Sequence, residues 1–280
     1  FAQREVRTVI LEPLVVYAIC RTLLVEEGHA PKRAVVPLPL LLSIAFTAAA
    51  CLAAAVALAQ LATGRGLVLA EGTVRAAGPY PSPNHLGIVL DRALPVAVAL
   101  AMAGPRRLLW LGAAVLIVLG LVASLSRGAW FGAAAGVLAV LALWWADPRQ
   151  RAGRARTLGV AVVLVAGGLI AVGAVMVLAP QRLTSFFDPV SGTALGRLRL
   201  WNSALAMLRD HLVTGVGPDN FLYAYRAYMH PDAWREPNLS HPHNLLLDAW
   251  LRLGIMGAVA ACWSLAVALR HGVRRGVAAP

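Results

Sequence analysis

Three side chains in this sequence pair reactive chemistry with a polar setting: Arg127, Arg197 and His243. A guanidinium stays charged throughout the physiological range and grips phosphate oxygens through parallel N–H bonds, so both arginines suit a phosphate-bearing ligand. An imidazole titrates near neutrality, which fits His243 to take a proton from an attacking hydroxyl. Each also has a plainer role open to it: Arg127 as a snorkelling residue at a span end, Arg197 as a headgroup contact, His243 as an interfacial histidine. The stretch from Gly196 to Gly257 holds most of the remaining polar chemistry. It contains Gly196-Arg197-Leu198-Arg199-Leu200-Trp201, then Gly215-Val216-Gly217-Pro218, then His241-Pro242-His243-Asn244. Glycine at 215 and 217 permits tight or left-handed backbone, letting main-chain N–H groups face a ligand. Asn220, Tyr223, Tyr225, Arg226 and Tyr228 compose a surface suited to sugar or headgroup contact, and equally a solvated lid with interfacial tyrosines. His241 either enters the following helix or shapes the site. Asn244, Asp248 and Arg252 follow one helical turn apart and are expected to satisfy one another.

Several chemistries lack their signatures. There is no DxD pair, no third ligand with metal-binding spacing to join His241 and His243, no Walker A motif and no GxGxxG after a strand. The expectation is no metal and no cofactor. Cys20, Cys51 and Cys262 stand singly in apolar runs, as small core hydrophobes do.

The elements that hold these residues are apolar. Hydrophobic residues make up 59% of the 280 and charged residues 14%, far below the quarter usual in soluble domains. The net charge of +12 is almost all arginine, with Lys32 the only lysine, and it falls in short clusters between apolar runs. That is the pattern of membrane topology and not of a nucleic-acid groove. Seven stretches approach the roughly 20 residues needed to cross a bilayer: 8–25, 39–62, 86–103, 108–125, 129–145, 158–179 and 245–269. The first carries Glu12-Pro13 and Arg21, and the third Asp91-Arg92 and Pro95. The fifth ends in Trp144-Trp145 and is stopped by Asp147-Pro148.

Lys32-Arg33, Arg106-Arg107, the arginines at 149, 151, 154 and 156, and those at 270, 274 and 275 follow alternate spans, so they mark one cytoplasmic side. Connections 63–85, 126–128 and 180–242 are then external, the last with an amphipathic helix from Gly196. The expected fold is all-α: a polytopic transmembrane helix bundle of about seven spans, residues 1–280 forming one integral-membrane domain. The start at Phe1, with Arg4, Glu5 and Arg7 directly before an apolar run, suggests that earlier spans are missing.

Arg197-x-x-x-Trp201, Gly215-Val216-Gly217 with Phe221, and His243-Asn244 followed by Gly254-x-x-Gly257 resemble the C-terminal signature of the O-antigen ligase and Wzy polymerase superfamily. Pro83-Asn84-His85-Leu86 and Ser126-Arg127-Gly128 resemble its Pro-Asn turn and external Ser-Arg-Gly. Leu212 stands where many members have Pro, and Ala258 where ligases often have Thr. The resemblance implies a GT-C-like membrane glycosyltransferase that works without metal at the periplasmic face of the bacterial inner membrane. Its donor would be a glycan on undecaprenyl pyrophosphate. The acceptor is lipid A-core for a ligase, another lipid-linked repeat unit for a polymerase, and protein Ser or Thr for related oligosaccharyltransferases. On this resemblance His243, Arg197 and Arg127 are catalytic, the two arginines clamping pyrophosphate. Asn84, His85, Arg199, Gly215, Gly217, Asn220, Tyr223, His241 and Asn244 bind substrate, and the 180–242 loop bears the active site. Ligation of O-antigen leads, with repeat-unit polymerisation as the alternative. From another class, a transporter or flippase could line its route with Glu12, Arg21, Asp91, Arg92, Asp248 and Arg252, although no repeated halves or broken helices are evident.

Overall fold

A chain that crosses hydrocarbon must close its own backbone hydrogen bonds, and here helices do so. The computed structural model describes residues 7, 11–29, 37–70, 73–103, 106–147, 149, 153–178, 193–231 and 241–278. Arg4, Glu5, Lys32, Arg33, Pro148 and Arg151, and residues 180–192 and 232–240 of the long connection, lie outside the described residues. The elements in order are α1 (Glu12–His29), α2 (Leu38–Thr63), β1 (Val68–Ala70), β2 (Thr73–Arg75), α3 (Pro83–Ala103), α4 (Arg107–Ser124), α5 (Arg127–Ala146), α6 (Arg154–Leu178), α7 (Thr193–Asp210), α8 (Phe221–Tyr228) and α9 (Leu245–Ala278).

The protein is an all-α polytopic membrane protein. Among the described residues five helices are long and apolar enough to cross a membrane: α2, α3, α4, α5 and the Leu245–Arg270 part of α9. Leu52, Leu138 and Trp263 face outward from three of them, where lipid accommodates them and water would not. α1 carries Glu12, Arg21, Glu26 and Glu27, and α6 contains the apolar stretch Thr157–Gly168.

By backbone contacts the chain divides into two compact units. In the unit of residues 31–183 with 276–280, α3 is central and packs on α2, α4, α5 and α6. Small residues set the spacing, as expected where lipid removes the hydrophobic drive between helices. A Cβ on Gly120 of α4 would come within 2.7 Å of Ala54 Cβ on α2, and one on Gly136 of α5 within 2.6 Å of Pro95 Cγ on α3. Asp91 faces the same stripe: a Cβ on Gly132 would sit 2.8 Å from its carboxylate. The connection from α2 to α3, read from the sequence only as external, contains the antiparallel hairpin β1–β2, with Val68 opposite Arg75. Gln60 of α2 anchors the backbone just after this hairpin, its Oε1 accepting from the amides of Ala77 and Gly78 while its Nε2 donates to Gly78 O.

In the unit of residues 1–30 with 184–275, α7, α8 and the first turns of α9 share a core of Leu200, Ala204, Met207, Leu208, Phe221, Tyr225 and Leu251. Met207, Phe221 and Leu251 are almost wholly buried, each contributing roughly 1.5–3 kcal/mol by removal from water. Phe221 stacks on Tyr225 at 5.4 Å between centroids, and Tyr228 Oη donates to Asp210 at 2.7 Å, tying α8 to the end of α7.

Candidate functional site

α9 begins at Leu245 because Asn244 caps it. The Asn244 Oδ1 accepts from the amides of Leu246 and Leu247 at 3.0 and 3.2 Å, satisfying donors that a helix start leaves open. Asn244 therefore does not pair with Asp248 through its side chain as the spacing suggested; Asp248 instead holds Arg252 at 2.9 Å. Immediately before the cap, His243 has a φ of +51°, a left-handed backbone that costs a non-glycine residue about 1–3 kcal/mol. It persists because both flanks are fixed. Asn244 is locked by its capping bonds, and Pro242 O accepts a 3.0 Å bond from the Trp201 indole of α7.

Arg197 lies one turn before Trp201 on the same face of α7, so the bond that anchors Trp201 brings Arg197 toward the histidine turn. The rings of His241 and His243 meet edge to face, 4.2 Å apart. Partial desolvation first, then the charges of His241 and Arg197, hold His243 below the ordinary histidine pKa, while Asp248 pulls the other way. These surroundings favour the neutral imidazole. Changing Trp201 to Phe removes one hydrogen bond and little volume. With His243 as the base expected from the sequence, the expected result is a roughly tenfold fall in kcat with KM nearly unchanged, because the histidine turn loses its register; steady-state kinetics on the reconstituted variant measures this.

The glycine loop works differently from the sequence expectation. Its amides do not face outward. Gly215 N donates to His211 O at 2.8 Å, and Val216 N and Gly217 N both donate to Leu251 O, at 2.7 and 3.2 Å. The reason lies in α9, which is broken at Gly254 (φ 67°, ψ −163°). That break leaves Leu251 O and the Ile255 amide without helical partners, and the loop supplies them: Ile255 N donates to Val213 O at 3.1 Å. Trp250 Nε1 adds a 2.8 Å bond to Leu212 O. Gly215 and Gly217 are thus needed for close approach to α9. Asn220 is exposed and its Nδ2 donates back to Val216 O at 2.9 Å, Tyr223 is exposed as well, and Arg199 is half-buried.

In the other unit, the Pro-Asn motif is not a turn before the helix but its first turn. α3 starts at Pro83, which needs no amide partner, and Ser82 accepts from the His85 amide. Asn84 and His85 are exposed, and the Asn84 Oδ1 accepts a 2.9 Å bond from Arg75. Arg127 is likewise helical, the first residue of α5, after a left-handed Leu125 that reverses the chain from α4. This end of the unit is tight: a Cβ on Gly87 would lie 2.9 Å from Ser126 Cβ. The structure thus gathers Arg197, His241, His243, Asn244 and Asp248 in one unit, and Asn84, His85 and Arg127 in the other. Sequence reasoning missed Arg75, Gln60 and the role of the Trp201 indole, since nothing in a short polar connection sets Arg75 apart from Arg65. Among the described residues, no three His, Cys, Asp or Glu side chains gather as a metal-binding group.

The family described as O-antigen ligase has a sequence model that matches residues 112–262, which include Arg127, Arg197, the glycine loop and His243. No curated protein and no solved structure matches the chain.

Proposed function

The chain belongs to the O-antigen ligase family, with the matched region covering more than half of it, and on that premise we propose that it transfers a glycan from undecaprenyl pyrophosphate to a hydroxyl of lipid A-core. The membership itself carries a glycosyl-transfer role in O-antigen processing within a membrane; donor, acceptor and residue roles are our reading. In that reading His243 accepts the proton of the acceptor hydroxyl as its oxygen attacks the anomeric carbon. The bond from that carbon to the pyrophosphate oxygen breaks with inversion, and its electron pair leaves on the pyrophosphate. Arg197, in the same unit as His243, stabilises the charge that develops there, so a leaving group already good in water departs without a general acid; Arg127, in the other unit, is a phosphate-binding residue in its own right in this reading.

The observation that supports this best is the turn that sets the His243 ring 4.2 Å from that of His241 and is tied by its Pro242 carbonyl to Trp201 one helical turn after Arg197, a setting whose burial and charges lower the His243 pKa. Arginine clusters recurring on alternate connections support an orientation in which this chemistry faces the periplasm from the inner membrane. The test is transfer by purified protein in vesicles loaded with undecaprenyl-pyrophosphate glycan, offered lipid A-core in one arm and a second lipid-linked repeat unit in another. Product on lipid A-core, undiminished by EDTA, is expected. Product only on the repeat unit would make the protein a polymerase. Movement of the glycan lipid across the bilayer without turnover would replace the enzyme with a transporter.

A further inference from the structure

Arg75, the last residue of β2, is the largest fully buried side chain among the described residues, 1% exposed. A buried guanidinium is costly unless its donors are met. Its Nε donates to Ser124 O at 2.8 Å and one terminal nitrogen donates to Asn84 Oδ1 at 2.9 Å. Those two bonds join the hairpin to the end of α4 and to the first turn of α3. The neighbouring Ala76 amide adds a bond to Ala123 O at 3.2 Å. Ser124 stands three residues before Arg127, so Arg75 sets Asn84 in register with the turn that carries that arginine.

The chemistry of the Arg75–Asn84 bond has a directional consequence. A guanidinium can only donate, so the Asn84 atom facing it is the amide oxygen, and the amide NH2 is the other end. Asn84 is exposed, and its Nδ2 makes no hydrogen bond among the described residues. We propose that Arg75 is a positioning residue that locks the Asn84 amide with its two N–H donors toward the phosphate of the lipid-linked donor. This rests on the function proposed above.

Asn84→Asp separates this role from a structural one. The variant keeps the volume and strengthens the bond to Arg75 through charge, but it replaces the outward donor with a carboxylate oxygen that repels phosphate. In vesicle-reconstituted protein the expected result is a melting temperature unchanged or raised, a donor KM raised at least about tenfold, and kcat within about threefold. Binding of undecaprenyl pyrophosphate without glycan should weaken by the same factor. Arg75→Lys, whose ammonium can only donate, should recover part of the binding that Arg75→Gln loses, since the Gln amide can also accept and lets Asn84 face it either way. Unchanged binding and KM in Asn84→Asp would overturn the proposal, as would a fall in melting temperature and kcat with KM untouched. Wild-type protein that binds undecaprenyl pyrophosphate but transfers nothing would defeat the functional reading alone, since the binding comparison still decides the role of Arg75. Wild-type protein that binds none would defeat both.

Discussion

Replacing His243 with Ala is expected to lower transfer by about 10²–10⁴-fold, the usual contribution of a positioned base, with little change in donor binding. The pH profile gives the sharper check. A base must be neutral to act, and His243 is held below the ordinary value of about 6.5 by its surroundings, by His241 and by Arg197. Wild-type kcat/KM should therefore persist as pH falls past that value and drop only below it. Arg197→Gln removes a positive charge that disfavours the imidazolium, so its acidic limb should move to higher pH, besides any loss of phosphate contact. Asp248→Asn removes the group that favours the imidazolium, and its limb should move lower. Opposite displacements in the two variants are the prediction; limbs that stay together, or move the same way, would remove His243 from the role of base. Stability follows the same sign. Because the folded chain holds this histidine below its unfolded value, the unfolded chain binds more protons as pH falls through the ordinary histidine range, and stability declines there.

The apolar helices were legible because hydrocarbon leaves so few alternatives. A run of roughly 20 apolar residues between arginine clusters admits little but a helix, and α2, α4 and α5 begin and end within two residues of the sequence expectation. The helix starts were harder to read. Pro83, Asn84 and His85 look like loop residues by composition, yet proline is suited to a first helical position and Ser82 supplies the cap, so α3 begins three residues early. β1 and β2, each of 3 residues, are too short for alternation to declare a strand.

Within the candidate site, residue types were readable and their partners were not. The amphipathic period read for α7 put Leu198, Trp201, Leu205 and Leu208 on one apolar face, whereas Leu198 and Leu205 are exposed and Leu200, Ala204 and Met207 are buried beside Leu208; nor does any local pattern reveal that the Trp201 indole reaches a carbonyl 41 residues later. The glycines show the limit most clearly. At 215 and 217 the sequence states only that the backbone is free to turn left or approach closely; whether the object approached is a ligand or another helix depends on a break in α9 that neighbouring residues do not announce. For the arginines, charge and position were enough to nominate Arg127 and Arg197. Arg75 was invisible because its importance comes from burial, which hydropathy predicts for apolar residues and not for a guanidinium.

Gly254→Ala is expected to prevent stable assembly, at a cost above about 3 kcal/mol, measured as loss of monodisperse protein on detergent extraction and of a cooperative melt. Two independent obstacles act. The backbone at φ 67° and ψ −163° belongs to a region essentially restricted to glycine, and a Cβ there would collide with the Val213 carbonyl oxygen. Moving that oxygen would also break its bond from the Ile255 amide. Gly215→Ala should fail in the same way, because its Cβ would meet the Leu251 and Trp250 carbonyls. Gly112→Ala is the matched control: nothing lies within 4 Å of that Cβ on α4, and the change should stay within about 0.5 kcal/mol of neutral or stabilise slightly. A second substitution identifies the cause. If the damage came from side-chain crowding, Val213→Gly would relieve Gly254→Ala; since the obstacle is a main-chain oxygen, the double variant should melt no better than the single one. A Gly254→Ala protein that extracts, melts and transfers glycan like wild type would mean that the loop does not seal the break in α9.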